Sequence, residues 1–159
     1  MNTRIDWIKA APALVQAMFG LQKGVNDAGL EPPLLELVKM RASQINGCAC
    51  CLDMHAKDAR AAGETEQRLY LLNAWHEAAH LYTERERAAL TWTEALTLVC
   101  DGHVPDAVYA EVRVHFSESE LAALTFAVIA INGWNRLNIA FRTPAGDYRP
   151  GMFKNLKLA

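Results

Sequence analysis

The chain has 159 residues, 52% of them apolar and 21% charged, with a formal net charge of −2. That is the size of one domain, with a core large enough to hold without disulfides or metal. The near-neutral charge lacks the basic footprint of a binder of nucleic acid or anionic membrane, and no apolar run reaches the length of a membrane span.

Taken in order, residues 1–11 form a short amphipathic segment. Pro12 suits a first helical turn, and residues 13–28 then carry a helical stripe of Leu14, Ala17, Met18, Leu21 and Val25, ended by Gly29. Pro32-Pro33 opens the next helix, to about residue 46, with Leu34, Leu37, Val38 and Ile45 inward and Glu36 beside them. Asn46-Gly47 is a stop and turn signal. A helix over 48–62 follows, with Cys48, Cys51, Leu52, His55, Ala59 and Ala62 on its inward stripe. The spacing predicts a further helix over 65–80, with Leu69, Leu72, Trp75 and Ala79 inside.

Thr83 with Glu86 reads as a capping box starting a helix that buries Ala88, Trp92, Ala95, Leu96 and Val99. Pro105 begins a shorter helix, to about Phe116. Ser117 with Glu120 is a second capping box, and the helix it starts, about 118–138, is apolar nearly all round and therefore expected to be central. The tail from Thr143 reads as a loop or a partner-binding arm. With no period-2 alternation, the expected fold is all-α, one domain over 1–159 with its core at about 12–142.

The N-terminus lacks the apolar segment of a secretory signal, and three of the four cysteines fall within four positions. Such clustering belongs to catalytic or metal-binding cysteines rather than a secreted disulfide framework, so the expected compartment is cytoplasmic. On a helix, Cys48, Cys51 and His55 share one face. A thiol reacts as thiolate, and an ordinary cysteine is mostly protonated at neutral pH. Cys48 lies at a helix N-terminus, which favours negative charge, and His55 is one turn beyond Cys51, placed to take its proton. A base needs an orienting carboxylate, and Glu36 on the preceding helix is the candidate, folded back by the Asn46-Gly47 turn. In the chemistry this suggests, Cys51 attacks an O–O bond, becomes a sulfenic acid, and condenses with Cys48 to a disulfide that a dithiol reduces. Two plainer readings stand beside it. Buried cysteines at this spacing can be inert, and a structural zinc site usually needs four ligands where one Cys-x-x-Cys pair is present.

Glu36 followed by Asn46-Gly47-Cys48-x-x-Cys51-x-x-x-His55 resembles the core of the AhpD-like alkylhydroperoxidases of the carboxymuconolactone decarboxylase family. The stretches Met40–Ile45, Glu84–Leu90 and Ile131–Arg136 are also similar, so the resemblance spans most of 12–148. It implies an AhpD-like all-α domain of six to seven helices with the Cys-x-x-Cys at the start of a core helix. It further implies a thiol peroxidase without metal or haem, assembled as a homo-oligomer, often a trimer or hexamer. Its reductant would be a dithiol such as a lipoyl group or a thioredoxin-like protein. Carried over, Cys51 attacks peroxide, Cys48 resolves, and His55 with Glu36 relays the proton. The departure is Cys50, where the family commonly has an aromatic or histidine; on an ideal helix it points away from the other two thiols, a spectator unless the first turn is irregular.

His76-Glu77-Ala78-Ala79-His80 fits the HExxH zinc-hydrolase pattern, but no third histidine follows, since Glu86 stands where one would be expected. Cys100 reads as buried and inert. Asn132, Trp134, Asn135 and Arg136 interrupt an apolar helix, either lining an interface or channel or merely ending the helix. Rival functions are a lactone-decarboxylase-branch enzyme, which needs no cysteine pair, and a redox-sensing subunit without turnover.

Overall fold

A computed structural model describes residues 2–153. Its described residues form eight α-helices and no strand. In chain order these are α1 (Trp7–Ala10), α2 (Pro12–Asp27), α3 (Pro32–Asn46), α4 (Ala49–Ala61), α5 (Glu66–Leu71), α6 (Glu84–Thr97), α7 (Asp106–Arg113) and α8 (Glu118–Phe141). The all-α expectation holds; the count exceeds six to seven because the four-residue α1 is a helix of its own.

α3 is the hub, with α4, α6 and α8 all packed on it. It buries Leu34, Leu35, Leu37, Val38, Met40 and Ala42, and also Lys39 and Ser43. A helix covered from three sides cannot keep a single apolar stripe, so polar groups are enclosed too and must find partners. α8, expected to be central, packs against α2, α3, α4, α6 and α7 and leaves one stripe open. Its outer face leaves Phe126 and Ile129 about half exposed, at 53% and 51%. α8 meets α2 at Gly133, where an added Cβ would lie 2.9 Å from Met18 Cε.

Helix starts follow the local sequence. Thr83 Oγ1 accepts from the Glu86 N–H while Glu86 Oε2 accepts from the Thr83 N–H, and Ser117 and Glu120 repeat the arrangement. Both capping boxes were legible in the sequence. α3 ends at Gly47, whose φ of 69° is left-handed. There the Gly47 N–H reaches Gln44 O and the Cys48 N–H reaches Ser43 O, closing the last turn of α3. The chain leaves this turn with Cys48 as N-cap of α4.

Three expectations are corrected. The predicted helix 65–80 stops at Leu71 and continues as two 3₁₀ turns, Leu72–Ala74 and Ala79–Leu81. Trp75 anchors the break: it is buried, and its indole N–H donates to Glu94 Oε1 on α6. α6 ends at Thr97, so Val99 and Cys100 fall in the following turn and are exposed. On α2 the expected inward positions Met18, Leu21 and Val25 hold, but at the start of the helix Val15 is buried where Leu14, 72% exposed, was expected. The tail is a loop, one of its two expected readings, and as far as residue 153 it lies against α4. The Gly146 N–H donates to Asp53, and Lys57 Nζ donates to the carbonyls of Gly146 and Tyr148.

Candidate functional site

Cys48 and Cys51 are fully buried, and both are free thiols. They sit with Ala42 of α3 and Ile131 of α8, with Trp134 and Cys50 packed against them. As N-cap, Cys48 lies before the first free N–H groups of α4. The Cys51 thiol donates to its sulfur, and the N–H groups of Cys50 and Cys51 and the Asn135 amide add to this. Against the opposing effect of burial, these donors pull the Cys48 thiol down to about 7. The same bond pushes the Cys51 thiol up, because its proton is the one shared with Cys48; burial and the Cys48 charge push the same way. Of the two, Cys48 is therefore the more readily ionised thiol. Cys50 is half-buried at the edge of this cluster, and burial, then the charges of Cys48 and Asp53, push its thiol up to about 11.

One turn beyond Cys51, His55 is buried on the same face of α4. Its Nδ1 lies 2.8 Å from Glu36 Oε2, so the carboxylate expected from α3 is in contact. Burial works against ionising Glu36. The His55 bond and charge, and then Lys39, outweigh it and hold the carboxyl at about 2. An ionised Glu36 can only accept, so His55 Nδ1 carries a hydrogen and Nε2 is the nitrogen left for proton exchange. The sequence reading missed Lys39, which is 7% exposed and donates to Glu36 Oε1 at 2.8 Å. No local signal marked it; it enters the site because three helices cover α3. Glu36, His55 and Asp58 also have donor atoms within 4.8 Å of one another, as metal ligands would. The Lys39 ammonium faces that group, however, and the Tyr148 hydroxyl donates to Asp58.

α8 closes the site with amides. Asn138 Nδ2 lies 3.3 Å from Cys51 Sγ. Asn135, fully buried, donates to Ser43 Oγ at 3.0 Å and accepts from Asn46 Nδ2 at 2.9 Å. Asn132 and Asn135 had stood out as polar breaks in an apolar helix, whereas Asn138 and Ser43 had not. The HExxH pair falls outside this site. Its residues are not on an α-helix; His76 is exposed, stacks on Trp75 at 3.7 Å and reaches Glu94, while His80 lies in the second 3₁₀ turn.

Residues 12–95 match the model of the carboxymuconolactone decarboxylase family, a span that includes Glu36, both thiols and His55. The chain belongs to the carboxymuconolactone decarboxylase family. It is 41% identical over 147 residues to the uncharacterized protein YdfG of Bacillus subtilis, covering 92% of this chain and 99% of that one. Among solved structures, ATU0492 of Agrobacterium tumefaciens, of unknown function and described as a candidate AhpD antioxidant defence protein, superposes with a TM-score of 0.89. It is 41% identical, over 92% of this chain and all of that one. The debrominase Bmp8 shares the fold, with a TM-score of 0.78 at 20% identity over 88% of this chain and 75% of that one. Family and AhpD-like fold thus agree with the resemblance carried by the Cys48–His55 motif.

Proposed function

We propose that the protein is a thiol-dependent hydroperoxide reductase that cycles Cys48 and Cys51 between dithiol and disulfide. The observation that carries this reading is the buried contact of the two thiols, with the Glu36–His55 pair one turn away on the same helix face. The likeness to a candidate antioxidant defence protein over the whole domain supports it.

In this reading His55 Nε2, directly or through one water, takes the Cys51 proton, and Glu36 stabilises the imidazolium that forms. The Cys51 sulfur attacks the terminal peroxide oxygen and the O–O bond breaks. The departing alkoxide takes a proton from His55 and leaves as the alcohol. Cys51 is then a sulfenic acid, and Cys48 displaces its hydroxyl as water to form the disulfide. An external dithiol, of the lipoyl or thioredoxin class, supplies two electrons and two protons and restores the pair. A second assignment exchanges the sulfurs: Cys48 attacks first, and the donors that lower the Cys48 thiol favour it. The half-exposed Phe126 and Ile129 support assembly as a homo-oligomer, and the resemblance adds that it would be a trimer or hexamer. Four free cysteines support a reducing, cytoplasmic setting.

One equivalent of hydroperoxide tests this. The expected products are the loss of two thiols and a Cys48–Cys51 disulfide in the peptide map. Cys48→Ser then accumulates a dimedone-reactive sulfenic acid on Cys51; a sulfenic acid found only in Cys51→Ser, on Cys48, selects the exchanged assignment. Retention of all four thiols under peroxide overturns the proposal.

A further inference from the structure

The tail crosses α4 beside the relay, and the bonds that fasten it are specific. Thr143 Oγ1 accepts from the Trp7 indole N–H at 3.2 Å. Gly146 then turns through a φ of 114°, a backbone that residues with a side chain rarely adopt. In that turn its N–H meets Asp53 Oδ2 at 3.0 Å and its carbonyl accepts from Lys57 Nζ at 2.8 Å. Lys57 also takes the Tyr148 carbonyl at 3.1 Å and pairs with Asp53 at 2.9 Å. One ion pair on α4 thus holds three backbone groups of the tail. So fastened, the chain delivers the Tyr148 hydroxyl to Asp58, whose two oxygens it approaches at 2.9 and 2.8 Å.

Asp58 follows His55 by one turn of α4, and atoms of its carboxylate, of the Glu36 carboxylate and of the His55 ring lie within 4.8 Å of one another. The titratable groups around this imidazole are Glu36 and Lys39 from α3, Cys51 and Asp58 from its own helix, and Tyr148 from the tail. Two carboxylates therefore flank His55, and each is engaged by its own donor. Lys39 Nζ takes Glu36 Oε1 at 2.8 Å, and Tyr148 takes Asp58. A second carboxylate free to close on the ring would favour the imidazolium, and an imidazole already charged takes no further proton. Burial, then the bond to Asp58 and its charge, push the Tyr148 phenol up to about 12, so it remains a donor at neutral pH. We infer that Tyr148 is a positioning residue of the relay, which the tail brings in to hold the Asp58 carboxylate off His55 and leave Nε2 open to accept a proton.

The inference rests on the relay role proposed above for His55, and the two can fail separately. In the reduced protein, with no peroxide present, His55 is titrated by the NMR shift of its ring Cε1 proton, assigned by its loss in His55→Gln. Tyr148→Phe keeps the ring and its stacking on Phe153 while removing the donor. It is expected to raise the His55 midpoint by about one pH unit, a roughly tenfold gain of imidazolium at fixed pH above the midpoint. Asp58→Asn is expected to lower the midpoint by about half a unit, because it removes a nearby negative charge. In the Asp58→Asn background Tyr148→Phe should then move nothing, since Tyr148 acts only through Asp58. A merely structural role for the tyrosine would shift both backgrounds alike. An unmoved midpoint in folded Tyr148→Phe overturns the inference, as do equal shifts in the two backgrounds. If Tyr148→Phe does not fold, Asp58→Asn decides, and an unmoved midpoint there overturns it equally. A shifted midpoint in a protein that consumes no peroxide refutes the peroxidase reading alone; an unshifted one in an active enzyme refutes this inference alone.

Discussion

Replacing Glu36 with glutamine removes one charge from a buried trio without changing its shape. In the native protein the carboxyl is held at about 2, against an ordinary value of 4.5, by His55 and Lys39 acting against burial. At about 1.4 kcal/mol per factor of ten, this corresponds to about 3 kcal/mol of stability. Because the folded value is the lower one, the contribution is complete above pH 4.5 and disappears as pH falls through about 2. Glu36→Gln should therefore lose about 3 kcal/mol at pH 7, and somewhat more if the Lys39 ammonium, 7% exposed, is left unpaired. Toward pH 2 the gap between the two proteins should close, since the native carboxyl is then protonated too. Urea unfolding of both proteins from pH 7 down to pH 2.5 measures this. A gap that is the same at pH 3 as at pH 7 would falsify the assignment of the stability to an ionised Glu36.

The remaining predictions concern the thiols, the relay, the turn before them and the caps. Reduced protein should show one thiolate titrating near pH 7 by absorbance at 240 nm, with that step absent in Cys48→Ser, because the donors around Cys48 serve its sulfur. His55→Gln should lower peroxide turnover by about 10²–10⁴-fold, as expected for loss of a general base, and should also lose part of the stability that the His55 bond and charge give to ionised Glu36; steady-state rates at saturating reductant and urea unfolding check this. Gly47→Ala forces a side chain into a left-handed backbone, φ 69°, and should cost about 1–2 kcal/mol in urea unfolding while slowing disulfide formation through displacement of Cys48. Ser117→Ala should cost about 1 kcal/mol through the lost cap of α8, with turnover unchanged.

Where a contact is set by local geometry, the sequence was legible. The Glu36–His55 contact followed from two features visible in the chain: a positive-φ glycine that folds α4 back on α3, and helical periods that turn both side chains inward. The capping boxes marked two helix starts for the same reason, since the interacting groups are three residues apart. What escaped the sequence depends on residues distant in the chain. Trp75 breaks the helix predicted over 65–80 because Glu94, 19 positions later, offers its indole an acceptor. Lys39 enters the site because α3 is covered from three sides. Asn138 meets Cys51 across 87 positions, and no local period encodes that. Cys100 was misplaced by a helix end: α6 stops at Thr97, and no cap signal in the sequence marked that position.

The most direct test of the account is turnover. Purified protein, excess dihydrolipoamide and an organic hydroperoxide are combined, and peroxide loss is followed for the native chain, Cys48→Ser and Cys51→Ser. The account predicts many turnovers per subunit for the native protein and none for either variant, with at most a single equivalent consumed as one sulfur is oxidised. Sustained peroxide loss in Cys48→Ser or Cys51→Ser, at a rate near that of the native protein, would contradict it.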